Sequence, residues 1–227
     1  SYIERDQEEL AESLNAMDEN LRNAHVIDGA TYSLPTVWNN MCIYYNKNVL
    51  DAAGLDYPEE GWTTQDFLTM CQKVAEDNTG GNNDVYGYAF YNAYFTTIEP
   101  WLCAFGASIL NDDWTASGLG DEAAGEAWQF LYDLINTYKV SPKPESIWAI
   151  PAVKTAADII AQKDDIPENA DIFYESASYG RYVPAPAQYT AIESEVLRDF
   201  GAYIAGIDTL ETALSKAVEN INLALME

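Results

Sequence analysis

The sequence has few positive charges and a single histidine, and both shortages narrow the range of functions. Only 11 residues are Lys or Arg, whereas 37 are Asp or Glu, which gives a net charge of −26 at pH 7. This charge repels nucleic acids and anionic lipid head groups. His25 lies in a polar stretch without a nucleophile-elbow motif, so Ser/His or Cys/His catalysis is not expected. We therefore predict neutral or cationic partners and no nucleic acid.

Long apolar runs and closely spaced cysteines are also missing. No stretch approaches the roughly 18 consecutive apolar residues that a membrane-spanning helix needs. The chain starts at Ser1 rather than Met, which indicates a processed, trimmed or excised product. Cys42, Cys71 and Cys103 lie far apart, without C-x-x-C spacing, and each follows an apolar residue. This pattern predicts buried, unpaired thiols rather than a zinc or redox site.

Apolar residues recur at helical spacing in much of the chain, which predicts a mostly helical fold. Thr63 with Asp66 forms a predicted capping box for a helix that buries Phe67, Met70, Cys71 and Val74. Other predicted helices cover residues 2–21, 46–54 and 99–105, begin after Asp121, Pro151 and Asp208, and cover 192–204. The helix after Asp121 is predicted to bury one stripe of residues: Ala124, Trp128, Leu131, Ile135 and Tyr138.

A few short strands complete the predicted elements, at residues 31–34, 41–45 and 85–91, with 41–45 expected to be buried. The loop at 78–84 does not fit a calcium-binding loop, because Gly81 falls where an oxygen ligand is needed. The glycines at 118 and 120 match a dinucleotide-binding pattern in letters only, since two acidic residues would repel the pyrophosphate. We predict no metal and no cofactor.

Aromatic residues beside asparagines form the pattern that points to a ligand. Trp38 and Asn39 precede a predicted strand, and Asn92 and Tyr94 follow another that leads to Trp101. The C–H faces of a sugar ring pack on aromatic rings, and its hydroxyls pair with the donors and acceptors of Asn. This grouping favours a carbohydrate site. The alternative is an aromatic core with loop asparagines.

Several motifs, in their order and spacing over about residues 28–140, resemble one family. They are Asp28 to Pro35, Tyr44 to Lys47, Ala53 to Asp56, Gly61 to Phe67, Tyr86 to Tyr88, Trp101, Phe105-Gly106 and the helix from Ala124 to Leu134. The family is that of the carbohydrate-type extracellular solute-binding proteins of ABC importers, which are maltose-binding-protein-like. The end of the chain, from Pro184 onward, also resembles the family's C-terminal end.

This resemblance implies an α/β, mostly helical fold, namely a C-terminal-lobe-like part of a type II periplasmic-binding-protein fold with few strands. It implies a lobe at residues 1–143, a junction at 144–150 where a family segment is missing, and a helical segment at 151–227 that packs on the same lobe. The family's opening strands have no counterpart here, so the chain is expected to be a fragment of such a protein.

The resemblance also implies a function. The chain is expected to bind a sugar, an oligosaccharide or another neutral polyhydroxylated ligand, and to deliver it to an ABC permease, as a monomer and without catalysis. Trp38, Asn39, Tyr94 and Trp101 fall at or near the family's sugar contacts, and Tyr182 is a further candidate. The expected location is extracellular, either lipid-anchored on a Gram-positive surface or periplasmic. The alternatives are a carbohydrate-active enzyme domain and an interaction domain that binds no small ligand.

Overall fold

The computed structural model describes residues 2–27, 29–35, 41–77, 86–90, 92–141 and 178–227. Contacts divide the chain into two compact units, one formed by Ser1–Cys42 with Pro151–Tyr182 and the other by Ile43–Ile150 with Val183–Glu227. This division is drawn differently from the predicted one. The predicted junction at 144–150 lies outside the described residues, so those boundaries stay a prediction.

The first unit contains short helices and one hairpin. Helices α1 (Tyr2–Arg5), α2 (Gln7–Ala16) and α3 (Glu19–Asn23) occupy most of the predicted helical run at 2–21. Strands β1 (Val26–Ile27) and β2 (Ala30–Thr31) then pair antiparallel. Gly29 adopts a φ of 76° in the turn between them, a conformation that is open to glycine at little cost. The helices of this unit break at Asp6 and Asp18 rather than forming one long helix.

The second unit is helical throughout its described regular elements. Helix α4 (Lys47–Ala52) and helix α5 (Thr64–Asp77) come first. They are followed by a π-helical turn (Tyr94–Ile98), α6 (Glu99–Ala104), α7 (Glu122–Tyr132), a second π-helical turn (Asp133–Thr137), α8 (Tyr189–Ile204) and α9 (Leu210–Ala224). Apart from the run at 2–21, which is divided into three short helices, the predicted helices are present wherever the structure describes those residues.

The core of this unit is built from the predicted stripes of α7 and α8. Trp128 of α7 and Phe200 of α8 are fully buried and meet edge to face, with ring centroids 5.1 Å apart. Burying a large apolar side chain contributes about 1.5–3 kcal/mol. Of the predicted α7 stripe, Ala124, Leu131 and Ile135 are also buried, whereas Tyr138 is exposed because the helix has ended at Thr137.

The helix starts are mostly where the sequence predicts them. Thr63 and Asp66 bond reciprocally, with Thr63 N to Asp66 Oδ2 at 2.8 Å and Asp66 N to Thr63 Oγ1 at 3.2 Å, so the capping box is confirmed. The Thr63 hydroxyl also donates to Asp66 Oδ2 at 2.7 Å, and this bond together with that from the Thr63 backbone N–H lowers the pKa of Asp66. Asp121 holds the N-cap position of α7 but makes no side-chain cap bond. The predicted start of α9 at Asp208 is wrong by one residue, because Thr209 supplies the cap.

The predicted strand at 41–45 is wrong. These residues form no strand and all of them are exposed, including Tyr44 at 83%. Residues 86–90 likewise form no strand; the backbone N–H of Tyr88 donates to Val140 O at 3.1 Å, and Phe90 is buried. A strand is stable only when a neighbouring backbone satisfies its N–H and C=O groups. In the described part of the chain, β1 and β2 alone form such a ladder.

Cys42, Cys71 and Cys103 form no disulfide, as predicted, but they are not all buried. Cys71 lies in the core of the second unit, Cys103 is half-buried, and Cys42 is exposed. Cys42 follows Met41 in the segment that the sequence wrongly predicts as a buried strand. In the described residues, no helix is both long and apolar enough to cross a membrane. The predicted helix from Pro151 and the loop at 78–84 lie outside the described residues.

Candidate ligand-binding site

The structure describes four of the six predicted site residues, and each of these four has a different environment. Trp38 and Asn39 lie outside the described residues. Tyr182 belongs to the first unit, where its ring is 43% exposed and its hydroxyl donates to Asn20 O. Asn92, in the second unit, is half-buried, and its Nδ2 donates to Leu197 O on α8 at 2.9 Å. Of these residues, Tyr182 has the ring that is visibly open to solvent.

Tyr94 is completely buried, which corrects its predicted place on a ligand-facing surface. Its ring meets Tyr189 edge to face with centroids 5.2 Å apart, and its hydroxyl donates to Pro184 O at 3.1 Å. Burial raises the pKa of this hydroxyl, so the phenol stays neutral. The ring has no free face for a sugar. Tyr94 is therefore a core residue that ties the first π-helical turn to the segment before α8.

Trp101 is also a core residue, which corrects its predicted place at a sugar contact. Its indole Nε1 donates to the hydroxyl of Tyr88 at 3.3 Å, and its ring lies 5.1 Å from both Phe67 and Phe130. Burial raises the pKa of Tyr88 as well. These contacts account for the aromatic grouping that the sequence shows, because the rings pack on one another to remove their surface from water.

The aromatic core reaches the surface at two places. At one end, Trp62 is 38% exposed and packs against Phe67, with centroids 5.9 Å apart. At the other end, Phe130 and Phe105 are half-buried, with centroids 5.4 Å apart. Phe105 and Phe130 line a groove between α7 and α9, entirely within the second unit. We call it the α7/α9 groove.

The α7/α9 groove has a volume of about 1020 Å³ and two kinds of lining. Its floor is apolar and is formed by the aromatic pair together with Leu119, Leu210, Leu214 and Val218. Its rim carries six carboxylates, which are Asp121, Glu122, Glu126, Asp133, Glu211 and Glu219. Among the described residues no Lys or Arg lines it. The sequence predicts the buried side of α7 but not this groove, because its walls come from helices about 80 positions apart.

The chemistry available in the described residues does not resemble a catalytic centre. Burial raises the pKa of Cys71 to about 12, which keeps the thiol protonated and unreactive near neutral pH. His25 Nδ1 lies 2.7 Å from Ser33 Oγ, and this exposed pair links the residue before β1 to the segment after β2. Among the residues that the structure describes, no group of three His, Cys, Asp or Glu side chains is placed to hold a metal ion.

Comparison with known proteins identifies the family. The sequence matches the bacterial extracellular solute-binding proteins over residues 6–201. The chain belongs to this family. It is 31% identical over 120 residues to a binding protein of Brucella abortus strain 2308, and to one of Brucella suis biovar 1, in a stretch that covers 52% of this chain and 28% of each relative. The chain thus spans less than a third of these relatives' length.

Two solved structures show the same fold. One is an ABC substrate-binding protein of Listeria monocytogenes in complex with cycloalternan, with a TM-score of 0.76 and 18% identity over 94% of this chain and 79% of that one. The other is the cyclic α-maltosyl-1,6-maltose binding protein of Arthrobacter globiformis, with a TM-score of 0.69 and 18% identity over 94% and 77%. The predicted fold class, a mostly helical part of a periplasmic-binding-protein fold, is confirmed.

Proposed function

We propose that this solute-binding protein chain takes part in sugar uptake by binding an oligosaccharide for an ABC importer. The observation that carries the proposal is the family match over residues 6–201. The two similar structures suggest a ligand class, because one protein was solved in complex with cycloalternan and the other is named as a cyclic α-maltosyl-1,6-maltose binding protein. A net charge of −26 favours an uncharged ligand of this kind over an anionic one.

We propose fewer sugar-contacting residues than the sequence suggests, because Tyr94 and Trp101 are buried. Trp38 and Asn39 remain the leading candidates, as the aromatic ring and amide of one predicted wall. Tyr182 supports the proposal because its exposed ring is free to stack on a sugar face. Asn92 is a weaker candidate, since its amide nitrogen is already bonded to Leu197 O.

Family membership suggests where the chain acts and with which partner. We propose that the chain acts outside the cytoplasmic membrane, on a lipid anchor or in the periplasm, and hands its ligand to a permease. It acts as a monomer and by binding alone, so the ligand leaves unchanged. A carbohydrate-active enzyme would instead release a product, which distinguishes that alternative. An interaction domain would show no response to any sugar.

A ligand titration tests the proposal. Thermal shift and calorimetry of the chain with cycloalternan, maltooligosaccharides and mannitol should give a saturable rise in Tm with an oligosaccharide, because a ligand that binds the folded state stabilises it. Trp38→Ala should weaken binding about tenfold, which corresponds to about 1.4 kcal/mol. Trp114→Asn is the matched control: this exposed tryptophan has a positive φ of 58° that Asn tolerates, and its loss should leave binding unchanged.

The same titration contains the outcomes that contradict the proposal. No rise in Tm with any of the sugars would reject oligosaccharide binding by this chain. Equal loss of affinity in the Trp38 and Trp114 variants would reject the site. Chromatography of the recovered sugar should show it intact, whereas a shortened or rearranged sugar would indicate an enzyme.

A further inference from the structure

We propose that the α7/α9 groove docks a cationic amphipathic helix of a protein partner. The proposal is separate from sugar binding, since none of the residues proposed to contact the sugar lines the groove. It rests on three features of the second unit, which are the apolar floor, the uncompensated carboxylates on the rim, and a glycine in the middle of α7.

The floor and walls suit a helix. The 11 residues of α7 flank the groove, as does the stretch of α9 from Leu210 to Glu219, so at about 1.5 Å per residue the two sides are about 16 and 15 Å long. That length accommodates two to three turns of a partner helix, whose apolar side chains at positions i, i+3, i+4 and i+7 would lie along the floor. Phe105, Phe130 and Leu214 are half-buried there and still have apolar surface to cover.

The rim selects positive charge. The nearest cation on α9 is Lys216, and its Nζ is 2.7 Å from Asp208 Oδ2, outside the groove. The groove carboxylates therefore have no basic neighbour in its lining among the described residues. Lys and Arg side chains at the edges of a partner helix would complement them, whereas an anionic membrane surface would be repelled.

Local structure explains four of the six groove carboxylates. Asp121, Glu122 and Glu211 lie at helix N-termini, where the helix dipole stabilises negative charge. Asp133 accepts a hydrogen bond from the hydroxyl of Thr137. Glu126 and Glu219 have neither explanation, and Glu126 stands one turn after Glu122, a like-charge pair that destabilises a helix. A cationic occupant compensates both.

Gly125 gives an independent indication that the groove receives something. It lies inside α7, where glycine costs about 1 kcal/mol relative to alanine. Alanine would fit here without a clash, because a Cβ at this position would meet Leu214 Cδ1 at 3.6 Å, an ordinary contact. The glycine therefore widens the groove at the expense of helix stability. An occupant that approaches α7 closely explains it.

A peptide-binding experiment tests the proposal. The probe is a dye-labelled 18-residue Leu/Lys peptide with one apolar helical face, measured by fluorescence anisotropy. Binding should be saturable, should weaken as salt is raised, and should be at least tenfold weaker for Glu126→Lys/Glu219→Lys. The control variant Glu59→Lys/Glu60→Lys changes two exposed carboxylates of the same unit outside the groove, so it alters the net charge equally. Its affinity should change less than threefold.

Two further arms separate the groove from general charge attraction. Gly125→Leu should abolish binding by filling the groove, with the helix content of the protein, measured by circular dichroism, unchanged. A Leu/Lys peptide of the same composition without an apolar face should bind at least tenfold more weakly. Absence of binding, equal weakening in both charge-reversal variants, or equal affinity for the two peptides would overturn the proposal. Loss of the oligosaccharide response in Gly125→Leu would overturn it too, by showing that the groove is the sugar site.

Discussion

Tyr94 shows how burial assigns a role to a single residue. Its hydroxyl is the polar end of a ring that has no exposed surface, and the hydroxyl is satisfied by Pro184 O. A buried hydroxyl without a partner would cost about 1–3 kcal/mol. The bond to Pro184 therefore allows tyrosine at a core position. The same logic applies to Trp101, whose indole N–H donates to Tyr88.

Replacing Tyr94 with Phe should separate a structural role from a ligand-binding one. The change removes the bond to Pro184 O and leaves that carbonyl without this donor, so the free energy of unfolding should fall by about 1 kcal/mol. For a chain of this size, Tm should drop by about 2–4 °C. Oligosaccharide affinity should not change. Tyr189→Phe, which loses only a 3.3 Å bond to Glu193, is the matched control and should shift Tm less. A selective loss of sugar affinity in Tyr94→Phe would contradict the structural role.

Single residues also explain where the sequence misleads. Aromatic residues beside asparagines suit a sugar site and an aromatic core equally well, because both uses depend on covering ring surface. Tyr94 and Trp101 belong to the core, and their amide neighbour Asn92 bonds the backbone of α8. Tyr182 keeps an exposed ring. Only the three-dimensional neighbours distinguish these cases.

At the scale of elements, the N-terminus of helix α9 is set by the side chain that caps it. Both Asp208 and Thr209 are suitable N-cap residues. Thr209 Oγ1 accepts the backbone N–H of Thr212 at 3.2 Å, whereas Asp208 binds Lys216 two turns into the helix. The Asp208 side chain therefore pairs with Lys216, and the cap of α9 comes from Thr209.

Thr209→Ala should therefore destabilise α9. Loss of an N-cap costs about 1 kcal/mol, which should lower the urea midpoint of unfolding. Thr212→Ala serves as the control, because it keeps the backbone N–H that makes the capping bond and removes only an exposed hydroxyl, which accepts from Thr209 Oγ1 at 2.9 Å. That variant should lose no more than a few tenths of a kcal/mol. Equal destabilisation by the two variants would show that the cap contributes little.

Helices and strands differ in how far the sequence predicts them. The helix after Thr63 is confirmed because its cap and its apolar stripe are both local signals. The stretch at 41–45 has the composition of a strand, yet a strand depends on a partner that is distant in sequence. In the described residues this stretch has no such partner and is exposed.

At the scale of the whole molecule, the net charge of −26 dominates the electrostatics. Among the described residues, Lys216 pairs with Asp208 and Arg198 with the buried Asp199, but the sequence holds 37 acidic residues against 11 Lys and Arg. Most carboxylates therefore repel one another, and this repulsion opposes the compact state.

Added salt should accordingly stabilise this protein. Raising NaCl from 20 to 500 mM shortens the screening length from about 20 Å to about 4 Å, so repulsion between carboxylates weakens. The urea midpoint should increase. The Glu59→Lys/Glu60→Lys variant has a less negative net charge and should show a smaller increase. A midpoint that falls with salt would mean that attractive ion pairs, rather than repulsion, control stability.

The sequence by itself determined the helical elements, most of their caps, the acidic character and the family. These properties depend on residues that are neighbours along the chain, or on composition alone. The tertiary structure decided which rings are buried, why residues 41–45 form no strand, and that α7 and α9 enclose an acidic groove. Those outcomes depend on contacts between segments far apart in sequence, whose packing and hydrogen bonding no local pattern records.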